Sequence, residues 1–289
     1  MSVARAIAAT MLGALLSLSP RAACARGNVD VLYAGSLVNL MEHGIGPAFD
    51  RESGDHFRGY AGGSKLLANE ITGRLRRADV FVSAAPRVNR LLMGPRHGGW
   101  VSWYITFAQS PLVIGYNPSS RFAPAFRTRP WYQVVQTPGI RLGRTDPKLD
   151  PKGALTVRLM RQAQAHYHIA GLASRVLVAP ENPAQVLPEE ALVGRLQSGE
   201  LDAGFFYSTE TSDAHIPAIG LPPAITPKAL YTVTIVRDAP DPRAAEAFVT
   251  FLLGPQGRKL MKEHGLALRA LEVTGNTAAL PRRIRTLLK

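Results

Sequence analysis

The sequence predicts an α/β fold, and three observations lead there. Short runs rich in valine, phenylalanine and tyrosine alternate with stretches whose apolar residues recur at three- and four-residue spacing, as strands followed by helices do. Glycines and serines mark the points where a run ends and a helical stretch begins. The composition, 46% hydrophobic and 19% charged over 289 residues, is globular and allows one large or two ordinary domains. Such alternation predicts helices layered on a parallel sheet.

Residues 1–25 stand apart. Arg5, an apolar run from Ala6 to Leu18, and the small-residue site Ala23-Cys24-Ala25 read as a secretory signal. The run is shorter than the roughly 20 residues a membrane-spanning helix needs. A lipoprotein signal cleaved before Cys24 is disfavoured by Arg21, which stands where an aliphatic residue is wanted. Cys24 is the single cysteine, so a disulfide framework is excluded. Residues 1–25 also hold two basic residues and no acid, so the formal charge of +13 falls to +11 without them.

Val29-Asp30-Val31-Leu32-Tyr33 is the first strand, ending at Ala34-Gly35-Ser36, and a helix carrying Leu37, Leu40 and Met41 follows. Phe57–Tyr60 is a second strand. Gly62-Gly63-Ser64 then opens a helix through Leu66, Leu67, Ile71 and Leu75, and Asp79–Ser83 is a third strand. A second block begins near Pro111–Tyr116. It continues with Arg141–Arg144, a helix from Pro151 to about Tyr167, a helix over Leu187–Leu196 and a strand at Ala203–Tyr207. Tyr231–Val236 is a further strand, and Pro242–Leu253 an amphipathic helix. Basic residues are scattered except in the tail, Arg282, Arg283, Arg285 and Lys289, which reads as a solvated helix end and not as a nucleic-acid patch.

Two turns share one geometry. Ala34-Gly35-Ser36 and Gly62-Gly63-Ser64 both lie where a strand hands over to a helix, whose first amides are unpaired and partly positive. Small residues let an oxyanion approach those amides, and serine adds a hydroxyl. A plain helix cap explains either turn taken singly. Neither is a dinucleotide fingerprint or a phosphate loop.

Tyr33–Leu37, Ala61–Ser64 and Ala78–Ala84 resemble the amino-terminal half of periplasmic molybdate/tungstate-binding proteins. Gly143-Arg144-Thr145-Asp146-Pro147-Lys148-Leu149-Asp150-Pro151-Lys152-Gly153 resembles their mid-chain turn, and Asp202–Ser208 a further binding segment. The stretch from Tyr231 to Gly257 is similar to the wider class of solute receptors, and the motifs follow in order from about residue 28 to 270. The resemblance implies a two-lobed, type II periplasmic-binding-protein-like fold with a cleft site and two crossing strands near Phe107-Ala108 and Tyr231-Thr232. Lobe one would comprise residues 26–108 and 231–289, and lobe two residues 109–230.

The resemblance also implies the site. Ser36 matches the first anion-binding serine. The second falls in the 62–64 turn, at Ser64 with the Gly63 amide, and Tyr207 matches a tyrosine that donates to the oxyanion. Asp150 matches an aspartate that, in the archaeal branch, ligates the metal of the oxyanion with a glutamate further on. That glutamate falls near Phe206, which cannot ligate. Asp150 before Pro151 is equally a good helix cap. Gly35, Gly62, Lys152 and Glu189 are secondary candidates. Glu189 and Glu210 are spare carboxylates for which solvated surface is the expectation. His166 and His168 lack the spacing of a helical metal pair, and Trp100, Trp103 and Trp131 read as packing.

The implied protein is an extracytoplasmic receptor of an ABC importer, acting as a monomer with a membrane permease. It has no cofactor, no catalytic residue and no nucleic-acid partner. Its ligand is molybdate or tungstate first, with sulfate, thiosulfate or an organic anion as alternatives. A regulator's sensing domain or an enzyme on the same fold is the rival. A regulator needs a DNA-binding helix pair where this chain has its signal, and an enzyme needs a nucleophile–base pair that the sequence does not show.

Overall fold

The computed structural model describes residues 26–94 and 98–288; the export signal read at residues 1–25, with Cys24, lies outside them. Strand β1 (Asn28–Ala34) pairs in parallel with β2 (His56–Gly62) on one side and β3 (Val80–Ser83) on the other. Val29, Val31 and Tyr33 of β1 enter one apolar cluster and Leu32 another. Burial on both faces is why this run is nearly continuous in apolar residues.

The sheet continues through the middle of the molecule by an antiparallel pair. Here β4 (Trp103–Tyr116) lies beside β8 (Lys228–Ile235), and β8 in turn pairs with β3. Beyond β4 come β6 (Ala203–Tyr207), antiparallel to it, and β5 (Leu142–Gly143), parallel to β6. The order is β2-β1-β3-β8-β4-β6-β5, with β7 (Ala218–Ile219) and β9 (Ala267–Gly275) also paired to β4. The sheet is therefore mixed and not parallel throughout. Parallel pairing is confined to the two ends, because β4 and β8 pass between the halves in opposite directions.

Strand β4 is longer than the Pro111–Tyr116 run expected from sequence. Its first half pairs with β8 and β9, its second half with β6 and β7, and a register shift between Thr106 and Ala108 bends it at Phe107. The two strands at which the resemblance placed the crossings are thus neighbours, with Ala108 opposite Tyr231.

Other elements depart modestly from expectation. The helix after the second turn is Ser64–Thr72; Gly73 ends it, and Leu75 stays exposed. The first turn opens as a 3-10 segment (Gly35–Leu37), passes through a π turn (Leu40–Ile45) and becomes an α-helix at Gly46–Ser53. Leu187–Leu196 is not one helix: after Pro188 come a 3-10 turn, Glu189–Ala191, and a short helix, Leu192–Gln197. Strand β9 escaped the sequence reading because its residues are half-buried or exposed and carry no alternation.

One apolar cluster runs through both halves, from Val31 and Phe49 through Ile105, Phe107 and Ile114 to Leu159 and Phe205. Smaller clusters lie under the opposite faces, around Leu67, Phe81 and Val88 in one half and Val113, Leu192 and Phe206 in the other. Trp103 and Trp131 are core residues, as expected, and Trp100 packs at its edge. Among the described residues no helix is long and apolar enough to cross a membrane.

Candidate functional site

The carboxyl ends of β1 and β2 deliver the two turns to the gap between the halves. Ser36 is buried, and its Oγ lies 3.0 Å from the Tyr231 hydroxyl on β8. The Gly35 amide donates to Glu189 Oε2 at 2.7 Å. A Cβ on residue 35 would stand 3.0 Å from the Glu190 nitrogen and 3.1 Å from Glu189 Cβ, so any larger residue would push the opposite half back by a few tenths of an ångström. At the second turn Ser64 begins its helix, fully buried, with Oγ accepting from the Ala84 amide at 3.1 Å. The Lys65 and Leu66 amides donate to the Leu149 carbonyl at 3.1 and 3.0 Å. A Cβ on Gly63 would fall 2.9 Å from that oxygen and 3.1 Å from Asp150 Cβ. Gly62 abuts Leu67 instead, at the end of β2.

Across the gap, Asp150 caps the helix Pro151–His166. Its Oδ1 accepts from the Lys152 amide at 2.9 Å and the Thr145 hydroxyl at 2.6 Å, while Oδ2 is buried without a hydrogen-bond partner. The Lys152 ammonium, wholly buried, donates to Glu210 Oε1 at 2.7 Å and stands 3.5 Å from Glu189 Oε1. The second Glu210 oxygen accepts from the Tyr207 amide at 2.7 Å, where β6 ends and the helix Ser208–Asp213 starts. Tyr207 is buried with its ring 6.2 Å from that of Tyr231 and its hydroxyl unpaired. Glu189 Oε1 likewise has no hydrogen bond, only its 3.5 Å ion pair with Lys152. Three buried polar atoms in one place thus have no hydrogen bond, in a setting where most such groups do.

Glu189 owes its position to Arg144. That buried guanidinium donates to the Ala179 and Pro180 carbonyls, both at 2.6 Å, and to Gln185 Oε1 at 2.9 Å. The Arg144 amide and carbonyl pair with Gln185 and Leu187. The segment before Pro188 is thereby fixed to the end of β5, and the turn carrying Glu189 projects toward Gly35.

The site is crowded with ionisable groups. Burial works against the charge of Lys152, but Glu210, Glu189 and Asp150 outweigh it and hold the ammonium above its ordinary value. Burial pushes the Glu189 carboxyl well up; repulsion from Asp150 and Glu210 adds to this, against the pull of Lys152 and the Gly35 amide. Glu210 is raised by burial too, opposed by its ion pair with Lys152. Burial also raises both tyrosines, Tyr207 and Tyr231. A cavity of about 270 Å³ lined by Gly35, Ser36, Glu189 and Glu210 adjoins this cluster.

Ser36, Gly35, Gly63, Ser64, Asp150, Lys152 and Tyr207 are therefore brought together, and Gly62 is not. Glu189 and Glu210 correct the sequence reading: both were expected on solvated surface, and both are buried at the centre. Nothing local distinguishes them, since Pro188-Glu189-Glu190 looks like the acidic first turn of any helix. Tyr231 was read only as a strand residue and joins the site through Ser36. The ring of Phe206 packs with Leu192 and Leu201, its centroid 6.0 Å from the Lys152 ammonium, and no carboxylate is delivered from that position. Among the described residues no group of three His, Cys, Asp or Glu side chains is arranged to hold a metal cation.

The model of a family described as bacterial extracellular solute-binding protein matches residues 29–267. An uncharacterized solute-binding protein of Petrotoga mobilis is 30% identical over 271 residues, 83% of each chain. The molybdate/tungstate-binding protein WtpA of Thermococcus kodakarensis is 25% identical, covering 72% of this chain and 71% of its own. Among solved structures, the Azotobacter vinelandii periplasmic molybdate-binding protein superposes with a TM-score of 0.65 over 83% of this chain and 99% of its own. At 19% identity that last likeness is one of fold.

Proposed function

From a chain that belongs to the bacterial extracellular solute-binding protein family, we propose a receptor for a tetrahedral oxyanion, molybdate or tungstate first, that hands its ligand to the membrane permease of an ABC importer. Proteins of this family are transport receptors and not enzymes. The fold is two-lobed and periplasmic-binding-protein-like. We assign residues 26–108 and 231–289 to one lobe and 109–230 to the other, with residues 1–25 as the export signal. The ligand lies between the lobes against Ser36, Gly63, Ser64, Asp150 and Tyr207, with Gly35, Lys152 and Glu189 beside it.

The observation that carries this reading is the convergence of hydroxyls and strand-to-helix turns on one buried polar cluster. Ser36 and Tyr231 pair at 3.0 Å, Tyr207 keeps an unpaired hydroxyl, and Lys152 sits among them as a buried cation. The hydroxyls and backbone amides of such a setting are donors suited to an oxyanion, while Lys152 offsets part of the acidic charge around it. The named binding activity of the Thermococcus relative points to the same ligand class.

Calorimetric titration of the chain lacking residues 1–25 with molybdate, tungstate, sulfate and phosphate tests the reading. Molybdate or tungstate is expected to bind with a Kd tighter than about 10 μM, roughly −7 kcal/mol. Silence from all four anions defeats it. Ser36→Ala should weaken binding by about 1–3 kcal/mol, and an unchanged affinity would reduce Ser36 to a structural hydroxyl.

A further inference from the structure

Resting on the oxyanion reading above, we propose that Glu189 takes part in binding as a neutral acid whose Oε1 hydroxyl donates to the anion, so that each dianion is held together with one proton on Glu189. The geometry separates the two carboxyl oxygens. Oε2 accepts from the Gly35 amide at 2.7 Å and is committed as an acceptor. Oε1 is buried, 3.5 Å from the Lys152 ammonium and without a hydrogen bond, in the cluster shared with the unpaired atoms of Asp150 and Tyr207.

The charges around it decide its state. Asp150 and Lys152 face Glu189 from the start of the helix Pro151–His166, Tyr207 from the end of β6, Glu210 from the following helix and Tyr231 from β8. Glu190 stands beside it on its own turn, and Asp213 lines the same cavity. Lys152 is the one cation of this group, and its short contact, 2.7 Å, goes to Glu210. With Asp150, Glu189 and Glu210 all ionised, the cluster would be acidic before any dianion arrived, and like charges in a poorly solvated site repel strongly. A proton on Glu189 removes one of those charges and turns a repelled acceptor into a donor. Glu210 uses both oxygens, and Asp150 Oδ1 holds two donors while its Oδ2 stays without a hydrogen bond. Burial already favours the neutral form of Glu189, and the adjoining cavity of about 270 Å³ gives the proton a route to solvent.

The test is molybdate titration from about pH 5.5 to 9.5, a range over which the free anion stays doubly charged, in buffers of different ionisation heat. The wild-type affinity should be flat at the acid end and fall about tenfold per pH unit once Glu189 ionises in the free protein, with proton uptake rising from none toward one. Glu189→Gln imitates the neutral acid: its amide oxygen stays on the Gly35 amide and its NH₂ takes the place of Oε1. It should keep the acid-end affinity within about tenfold and lose the pH dependence. Wild type that takes up no proton anywhere in the range overturns the proposal, whether or not the variant folds. A folded Glu189→Gln that loses more than about 100-fold at pH 6 also overturns it, because Glu189 would then serve as an ionised ligand. Absence of binding by every anion at every pH is a separate result, which ends the oxyanion reading itself.

Discussion

Glu189, Glu210 and Lys152 bury three ionisable side chains against one another, and their linkage to folding has a definite sign. Glu189 and Glu210 have carboxyl values raised in the folded protein above the ordinary 4.5. Below 4.5 both groups are protonated whether the chain is folded or not. As pH rises from there through the raised folded values, the native state binds more protons than the unfolded one, so stability falls. Lys152, held above its ordinary 10.5, keeps its proton in both states across this window and leaves the slope unchanged. Denaturant unfolding of the ligand-free protein should therefore show this contribution lost as pH rises above the ordinary carboxylate range, and Glu189→Gln should flatten the slope. A steeper slope in the variant would count against the assignment. Ser36, Asp150 and Tyr207 entered the reading through the short motifs of the family resemblance, and the structure brings them into one cluster. The burial of Glu189 was not legible, since it depends on Gly35 and Arg144, which are distant in the chain.

Among the elements, the segment 179–188 has little regular structure and is tied to the end of β5 by both the backbone and the side chain of Arg144. Arg144 supplies three donors to it from the end of β5. Arg144→Ala would leave two carbonyls and a glutamine oxygen unpaired beneath the turn that carries Glu189. A loss of about 3 kcal/mol in unfolding free energy is expected, with weaker molybdate binding. Arg144→Lys should recover only part, because an ammonium lacks the fork that reaches all three acceptors. Normal stability in Arg144→Ala would show that the segment is held by its apolar contacts. Strands and helices with strong patterns, such as β1, β6 and Pro242–Leu253, were legible at this scale. The first half of β4 and all of β9 were not. Each owes its pairing to partners far along the chain, and β9 shows a solvent-facing pattern that resembles a loop.

At the scale of the whole molecule, the β4–β8 pair and the apolar cluster that crosses it tie both halves into one cooperative structure. Calorimetric unfolding should accordingly give one transition, stabilised by ligand with the logarithm of its free concentration over Kd: about 2.7 kcal/mol at a hundredfold excess. Two resolved transitions would mean that the halves melt separately. The net charge of +13 proved a poor guide, since two units lie in residues 1–25 and the cluster at the centre is rich in acids.

The side-by-side crossing has one more consequence. Ser110 stands opposite Ala229, so the chain leaves for the second half and returns from it at a single point in the sheet. Everything between those residues is a cassette with adjoining ends. Grafting the corresponding cassette from a receptor with another ligand would exchange Asp150, Glu189 and Tyr207 together while leaving Ser36 and Ser64 on the host. The two halves of the proposed binding cluster could in this way be inherited, or engineered, independently.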